Sequence, residues 1–277
     1  MDMLNHPTLF DIRDQTAVVA GGSGVLGSAM AGALASAGAL VAVLGLHEEK
    51  ARRVAASIRE QGGQAAGFAC DVRERASLEG ALEQVTKAFG PPDILVNGAG
   101  GNSPRATTSD TQAFFDLDSA AIEQVMGVNF NGTLLACQVF GRAMAERKQG
   151  SIVNIVSMNA FRPLTRIPAY SAAKAAIANF TQWLAVHMAQ EYSPRIRVNA
   201  IAPGFFLTEQ NRFLMMEAGS GAITQRGQTI LNHTPMGRFG TPEDLVGTLL
   251  WLVSPASSFV TGVIVPVDGG FSAFSGV

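Results

Sequence analysis

Short continuous apolar runs recur along the chain and alternate with longer segments of helical character. The runs are continuous rather than alternating apolar and polar, which is typical of parallel strands buried on both faces. Seven runs are predicted to be strands: TAVVA (16–20), LVAVL (40–44), AAGFAC (65–70), DILVN (93–97), SIVNIV (151–156), RIRVNAI (195–201) and VIVPV (263–267).

The intervals between these runs are predicted to be helices, several of which end at a glycine or before a proline. Strands that alternate with helices predict a doubly wound α/β fold: one parallel sheet of seven strands with helices on both faces, in a single domain over residues 1–277. The predicted helices are Val25–Ala37, Glu48–Glu60, Arg73–Phe89, Ser119–Arg147 and Ala169–Tyr192, and another begins at Thr241.

The longest interval without a clear element is 203–240. It contains FFLTEQNRFLMM, which has helical character, and the small-residue segment AGSGAIT. Long loops inside a compact domain commonly cover an active site. We therefore expect a substrate lid over about 204–240.

Charge and cysteine content narrow the possible partners. Lys plus Arg number 20 against 22 for Asp plus Glu, which argues against a nucleic-acid or anionic membrane surface. Cys70 and Cys137 make no metal-ligand spacing or disulfide framework, so we expect buried thiols, no metal and a cytoplasmic protein. The first residues lack a signal-peptide pattern, and glycines interrupt the uncharged stretch 15–46, which we interpret as strand, turn, helix and strand.

A glycine-rich turn follows the first strand and opens the first helix. Glycines there allow the backbone to approach a pyrophosphate, whose charge meets the helix N-terminus. This context predicts a dinucleotide site. Its candidate residues are Gly21, Ser23, Gly24, Val25, Leu26 and Gly27.

The end of the second strand should select between NAD and NADP. An acid there favours NAD, and an Arg favours NADP. The strand ends Leu44-Gly45-Leu46-His47, so neither determinant is present. His47 either contacts the adenosine ribose or is simply exposed. NAD and NADP both stay open, and the absence of an Arg favours NAD.

Tyr170 and Lys174 are four residues apart and therefore share a helix face. A phenol with a reference pKa near 10 acts as a base at neutral pH only if its anion is stabilised, and a nearby ammonium does this. Ser157 follows the fifth strand, at the sheet edge where open α/β folds bind ligands. The alternative is an ordinary helix pair with a solvated lysine.

Together these motifs resemble the short-chain dehydrogenase/reductase family from end to end. The resemblance implies a Rossmann fold and an NAD(P)-dependent oxidoreductase that acts on CH–OH groups. The matching motifs are the glycine turn at 21–27, Asp71-Val72, NGAG at 97–100, Asn129 in VNFNG, Ser157, YSAAK at 170–174, Pro203-Gly204 through Thr208, and VDGG at 267–270.

The resemblance also implies roles for individual residues. Tyr170 would be the general acid/base, and Lys174 would lower the pKa of Tyr170 and bind the nicotinamide ribose. Ser157 would position the reacting carbinol or carbonyl, and Asn129 would hold a water in a proton relay. The further implied cofactor contacts are Asp71, Val72, Asn97, Gly98, Ala99, Pro203, Gly204 and Thr208.

Two positions depart from the family pattern. Val25 stands where a second glycine is usual, and Gly24 comes one place early, which puts the geometry of the turn in doubt. The usual NNAG is NGAG here, which weakens the case for a side-chain contact at position 98.

Within the family, phrases such as SMNAFRPLTRIPAYSAAK and NAIAPGFFLTEQNR resemble the D-mannonate oxidoreductase (fructuronate reductase) branch, which implies a sugar-acid substrate. Arg162 and Arg166 lie between Ser157 and Tyr170, and a guanidinium binds a carboxylate through two hydrogen bonds. The alternatives are pairing with surface acids or an oligomer contact. Asn102, Asn159, Gln210 and Arg212 complete the candidate substrate residues.

Several alternatives remain open from the sequence. Trp183 and His187 are four apart on the Tyr170 helix and favour core or interface packing, and His233 lies in the expected lid.

Besides a sugar-acid dehydrogenase, the chain could be a reductase of another carbonyl, such as a 3-oxoacyl thioester or another keto sugar, or a non-catalytic nucleotide-binding regulator. The family resemblance implies a homotetramer.

Overall fold

A computed structural model of the chain describes residues 9–207, 212–217, 219 and 221–276. Its core is one seven-stranded sheet in the order β3-β2-β1-β4-β5-β6-β7, and every neighbouring pair is parallel. The doubly wound fold is therefore confirmed. The strands are β1 Thr16–Ala20, β2 Leu40–Gly45, β3 Gln64–Ala69, β4 Ile94–Asn97, β5 Gly150–Ile155, β6 Ile196–Pro203 and β7 Ile264–Val267.

Helices connect the strands and cover the sheet on both faces. Two of them, α7 and α8, lie within the segment that the sequence predicts to be a lid. The helices of the described residues are α1 Val25–Ser36, α2 Glu48–Glu60, α3 Arg75–Phe89, α4 Ser119–Met126, α5 Gly132–Arg147, α6 Pro168–His187, α7 Arg212–Met215, α8 Gln225–Asn232 and α9 Val246–Val253.

The continuous apolar strands are explained by burial on both faces. All five residues of β1 are buried. Val19 belongs to the core cluster that includes Leu34 of α1 and Leu249 of α9. Val18 belongs to the cluster on the opposite face, with Phe140 of α5. Successive side chains of a strand point to opposite faces, so each must be apolar when both faces are covered.

The sheet order reverses between β1 and β4. The chain winds outward from β1 to β3 and then returns to place β4 on the other side of β1. Open α/β folds bind ligands in the crevice at this switch point, outside the carboxyl ends of the strands. The backbone N–H of Gly98, just after β4, donates to the carbonyl of Ala20 at the end of β1 at 2.9 Å, which joins the two loops that border the crevice.

The prediction of one continuous helix over Ser119–Arg147 is wrong, because the helix is interrupted. A π-turn at Gly127–Asn131 separates α4 from α5, with the backbone N–H of Gly132 bonded to the carbonyl of Gly127. This turn holds Asn129, whose side chain is fully buried. A second π-turn at Met188–Tyr192 follows α6, which ends at His187 rather than at Tyr192. Single π-turns inside helices frequently occur at functional sites.

Within the described residues, no helix is long and apolar enough to cross a membrane. The uncharged stretch 15–46 contains β1, α1 and β2, as its glycines predict.

Candidate active site

The glycine-rich turn between β1 and α1 lies directly against the loop after β4. Gly21 has a φ of +76°, and a Cβ at this position would lie 2.6 Å from the backbone nitrogen of Ala99. A Cβ on Gly27 would collide with the carbonyl oxygen of Gly21. These contacts require glycine at both positions.

The N-terminus of α1 suits a phosphate group. Gly24 is its N-cap, no side chain caps the first turn, and no acid lies there. The unpaired N–H groups and the helix dipole favour an anion. Val25 begins the helix with a side chain that lines the cleft, so the turn accommodates the departure from the family pattern.

A cleft of about 910 Å³ opens above this turn, along the carboxyl edge of the sheet. It brings together most of the residues that the sequence predicts for cofactor and catalysis. These are Gly21, Ser23, Gly24, Val25, Leu26, Gly27, His47, Asp71, Val72, Gly98, Ala99, Ser157, Tyr170, Lys174, Pro203 and Gly204. Thr208, also predicted, lies outside the described residues.

Asn97 is placed differently from its predicted role in the cofactor channel. Its side chain is buried beneath the cleft, where Nδ2 donates to Oδ1 of Asn154 on the neighbouring strand at 2.9 Å and to Sγ of Cys137 at 3.2 Å. The Oδ1 atom of Asn97 has no hydrogen-bond partner among the described residues. The side chain of Asn97 therefore links β4 to β5 rather than lining the cleft.

Tyr170 lies in the first turn of α6, one helical turn before Lys174. The Lys174 Nζ atom is 5.5 Å from the centroid of the Tyr170 ring and donates to the carbonyl oxygen of Ile155 at 2.9 Å. Burial disfavours the ammonium and lowers the pKa of Lys174 to about 8.

Burial also raises the pKa of Tyr170, and a hydrogen bond with the Ser157 side chain offsets part of that rise. Desolvation of the phenol dominates this shift and Lys174 does not contribute to it, so the lowering expected from Lys174 stays a prediction. A phenol with a raised pKa keeps its proton at neutral pH. In that state it can donate the proton to a carbonyl oxygen.

Asn159 holds the Ser157 hydroxyl in place. Both the backbone N–H and Nδ2 of Asn159 donate to Ser157 Oγ at 3.3 Å, while Asn159 Oδ1 accepts from the backbone N–H of Leu164 at 3.0 Å. These bonds use the oxygen of Ser157 as an acceptor and leave its proton for another partner. Asn159 is buried and does not line the cleft, so it supports Ser157 instead of facing a substrate.

Asn129 lies beside Lys174, with Gly100 between them. Its Nδ2 donates to the carbonyls of Gly101 at 2.7 Å and Val125 at 2.8 Å, and its Oδ1 accepts from the Gly101 N–H at 3.3 Å. A Cβ on Gly100 would lie 2.5 Å from Asn129 Oδ1 and 3.4 Å from Lys174 Nζ. The π-turn thus brings a fixed amide close to the lysine.

The arginines predicted to meet a substrate have different environments. Arg166 pairs with Asp110 at 3.2 Å and has a φ of +76°, unusual for a residue with a side chain. Arg162 is exposed and donates to the backbone carbonyl of Phe274 at 3.2 Å. Arg212 is exposed on α7, and none of the three lines the cleft.

Of the two remaining candidate amides, Asn102 is described by the structure and does not line the cleft. Asn102 is exposed and donates to the Thr107 hydroxyl at 2.9 Å. Gln210 lies outside the described residues.

Two cations that line the cleft near the ends of β2 and β3 were missed by sequence reasoning. Lys50, on the first turn of α2, and Arg73 both line it. Arg73 pairs with Asp71 at 2.6 Å, and this hydrogen-bonded guanidinium lowers the pKa of the Asp71 carboxyl. Asp71 and Arg73 are two residues apart in one short loop, and this spacing could have indicated an ion pair at the cleft.

Trp183 and His187 form part of a row of rings on α6. Their centroids are 4.7 Å apart in a stacked arrangement, and Trp183 also stacks on Phe180. Trp183 is 57% exposed, so the row lies on the surface rather than in the core. In the described part of the chain, no group of three or more His, Cys, Asp or Glu side chains could hold a metal ion.

A doubly wound sheet, a glycine cradle at its switch point and a Ser–Tyr–Lys set beside it define an NAD(P)-dependent oxidoreductase that acts on CH–OH groups. The family model described as enoyl-(acyl carrier protein) reductase matches residues 20–272. The chain belongs to the short-chain dehydrogenase/reductase family.

Three relatives illustrate the similarity. An uncharacterised oxidoreductase of Bacillus subtilis, UxuB, is 50% identical and covers 96% of this chain and 98% of its own. A Haemophilus protein proposed to be a D-mannonate oxidoreductase, solved with bound NAD, is 46% identical with a TM-score of 0.90, covering 96% and 98%. A Burkholderia cenocepacia gluconate 5-dehydrogenase, solved with NADP and tartrate, is 30% identical with a TM-score of 0.87, covering 98% and 100%.

Proposed function

We propose that this enzyme interconverts a hydroxy sugar acid and its keto form, with D-mannonate and D-fructuronate as the pair. The single observation that carries the choice of substrate is the similarity, over nearly the whole chain, to the Haemophilus protein proposed to be a D-mannonate oxidoreductase. The Ser157, Tyr170 and Lys174 side chains at the cleft support the reaction class.

In the direction of carbonyl reduction, Tyr170 donates its phenolic proton to the substrate oxygen. Because burial raises the pKa of Tyr170, the phenol is protonated at neutral pH and its proton is present for donation. Ser157 donates its hydroxyl proton to the same oxygen, while Asn159 donates to the oxygen of that hydroxyl. Lys174 would bind the nicotinamide ribose, and Asn129 beside it would hold a water that returns a proton to the site.

The residues of the cleft fit a nicotinamide dinucleotide. The glycine cradle and the uncapped start of α1 suit the pyrophosphate, while Asp71 and Val72, which line the cleft, would flank the adenine. When bound, the cofactor supplies or accepts a hydride at C4 of the nicotinamide, and the protein supplies the orientation.

NAD is the proposed cofactor over NADP. Gly45 ends β2 and Leu46 follows, so no Arg stands at the position that usually meets a 2′-phosphate. Arg73, the guanidinium at this end of the cleft, is paired with Asp71. The Haemophilus relative was solved with NAD, while the Burkholderia relative was solved with NADP.

Of the two arginines after Ser157, Arg162 is the better candidate to bind a carboxylate. Arg166 already has Asp110 as a partner, whereas Arg162 has only a backbone carbonyl among the described residues. A planar guanidinium with unpaired N–H groups suits a carboxylate. The segment 204–240, which includes α7 and α8, is proposed to close over the substrate, with Arg212 as a second cation.

A homotetramer remains part of the proposal. The row of rings that begins on α6 continues to Tyr192, and the exposed rings of Trp183 and Tyr192 provide apolar surface for a second copy of the chain. Light scattering on the purified protein gives the subunit number, and a monomer would refute this part.

A substrate screen tests the proposed reaction. Purified enzyme is mixed with NADH or NADPH and one of D-fructuronate, D-tagaturonate, 5-keto-D-gluconate, a 3-oxoacyl thioester or a neutral ketose, and the loss of reduced cofactor is followed by absorbance. We expect the highest kcat/KM with D-fructuronate and NADH. The matched control is Tyr170→Phe, which keeps the ring and removes the proton donor.

Other outcomes separate the alternatives. Highest activity with 5-keto-D-gluconate would favour the reaction of the 5-keto-D-gluconate 5-reductase of Escherichia coli, which is 30% identical. Activity confined to the thioester would favour a 3-oxoacyl reductase. Binding of NADH with no turnover of any compound would favour a nucleotide-binding regulator.

A further inference from the structure

The chain returns to the active site after its last strand. Asp268, just after β7, accepts hydrogen bonds from the backbone N–H groups of Gly270 at 2.9 Å and Ser272 at 2.8 Å. Gly269 and Gly270 both have positive φ, which turns the chain back on itself. We call residues 268–274 the C-terminal turn.

The C-terminal turn packs directly against the cleft. A Cβ on Gly204, which lines the cleft, would lie 2.6 Å from the Cα of Asp268. The backbone N–H of Phe274 donates to the carbonyl of Gly270 at 3.1 Å, so the end of the turn has a defined position.

Ring contacts join Phe271 and Phe274 of this turn to Phe205 and His233, which lie in two other segments. Phe271 contacts Phe205, which follows Gly204, with ring centroids 5.1 Å apart. His233, at the end of α8, lies 6.4 Å from Phe271 and 6.2 Å from Phe274. His233 Nδ1 faces the carbonyl of Thr229 at 2.8 Å and therefore donates to it, which fixes the orientation of the ring. The turn thus connects the segment after β6 with the proposed lid.

Arg162 is the third connection. Its guanidinium donates to the carbonyl of Phe274 at 3.2 Å, and among the described residues this is its only side-chain hydrogen bond. The backbone N–H of Arg162 donates to the carbonyl of Met158 at 3.1 Å. This bond fixes the backbone of Arg162 close to Ser157. One donor of Arg162 is therefore fixed, and the others are available to an anion.

We infer that the C-terminal turn is a specificity element: the carbonyl of Phe274 orients Arg162 toward the carboxylate of a sugar acid, and the rings of Phe205, His233 and Phe271 hold the turn in place. This rests on the proposed function, because it assigns the anionic end of that substrate. Phe274 and the rings are positioning residues, and Arg162, which lies outside the lining of the cofactor cleft, is the residue assigned to the carboxylate of the substrate.

The test is a double-mutant cycle that combines Arg162→Ala with a chain ending at Ala273, which removes the Phe274 carbonyl. Phe271→Ala is the second way to release the turn, and it replaces the shortened chain in the cycle if circular dichroism shows that chain to be unfolded. Phe259→Ala is the matched control, because Phe259 is fully exposed outside the site. Steady-state rates are measured with D-fructuronate and with a neutral ketose, and NADH affinity by fluorescence.

We expect release of the turn to raise KM for the sugar acid about tenfold or more, as loss of an oriented charge-assisted contact does, with kcat little changed. In the Arg162→Ala background the same release should cost less than about twofold. The KM for the neutral ketose, NADH affinity and the Phe259→Ala enzyme should match wild type.

An equal loss in both backgrounds, or a parallel loss of NADH affinity, would overturn the inference and leave the turn a purely structural element. Absence of sugar-acid turnover by the wild-type enzyme would instead refute the proposed function, and this inference with it.

Discussion

Replacing Gly100 by alanine perturbs the contact between Asn129 and the loop after β4. The new Cβ would lie 2.5 Å from Asn129 Oδ1, which is closer than such atoms approach in real structures. Asn129 is fully buried and bonded to Val125 as well as to Gly101, so its side chain has little room to move. We expect the substitution to break the two bonds between Asn129 and Gly101.

Each such bond contributes about 0.5–1.5 kcal/mol to stability, so the two together are worth about 1–3 kcal/mol. Alanine also reduces the freedom of the unfolded chain, which offsets about 0.4–1 kcal/mol of that loss. Gly101→Ala is the matched control, because a Cβ there has no atom within 4 Å. The unfolded-state gain is the same in both variants, so their difference isolates the contact with Asn129.

The assay is equilibrium unfolding in urea, together with kcat/KM. We expect Gly100→Ala to be less stable than Gly101→Ala by about 1–3 kcal/mol and to lose activity, because the displaced Asn129 no longer adjoins Lys174 correctly. Equal stability and activity of the two variants would refute the account of this contact.

Three further predictions concern other parts of the site and core. Asn159→Ala should lower kcat/KM about tenfold with NADH affinity unchanged. The Ser157 hydroxyl would lose the donor of the Asn159 side chain, and the segment after Ser157 would lose the bond from the Leu164 N–H to that side chain. An unchanged kcat/KM would contradict the supporting role of Asn159. Reduction should slow only as pH rises above 10, where the Tyr170 phenol with its raised pKa begins to lose its proton, whereas oxidation should accelerate there; identical pH profiles in both directions would count against Tyr170 as the proton donor. Arg197→Met should lower the free energy of unfolding by about 1–3 kcal/mol in urea melts, because the buried guanidinium donates to two carbonyls at the end of α9 and to the Ser257 hydroxyl; a loss below about 0.5 kcal/mol would refute this.

The sheet could be predicted from sequence because burial of a strand on both faces requires a run of apolar residues, which is visible in the sequence. The inner strands β1, β2 and β4 are continuous apolar runs, whereas the edge strands β3 and β7 are partly exposed. The glycines at 21 and 27 mark places where a side chain would collide with neighbouring backbone. The Ser157, Tyr170 and Lys174 set follows from the same order, because the carboxyl edge of a parallel sheet gathers the residues that come after its strands.

The π-turn at Gly127–Asn131 could not be predicted in this way. Its extra residue is stabilised by bonds from Asn129 to Gly101, which is distant in sequence. The side chain of Asn97 presents a similar case, because its partners Asn154 and Cys137 come together only when β5 and α5 pack. Neither contact has a local signature.

Charge alone does not predict which arginine is available to a substrate carboxylate. The sequence treats Arg162 and Arg166 alike, since both lie between Ser157 and Tyr170. The fold separates them by giving Arg166 a carboxylate partner in a preceding loop and Arg162 a carbonyl from the C-terminal turn. Such pairings depend on tertiary contacts between segments that are far apart in the sequence.

The rate of D-fructuronate reduction by NADH, measured for the wild-type enzyme and for Tyr170→Phe, tests the central claim most directly. The account predicts rapid oxidation of NADH by the wild-type enzyme and a loss of about 100-fold or more in Tyr170→Phe with NADH affinity retained. Equal rates in the two enzymes, or no reduction of D-fructuronate by the wild type, would contradict it.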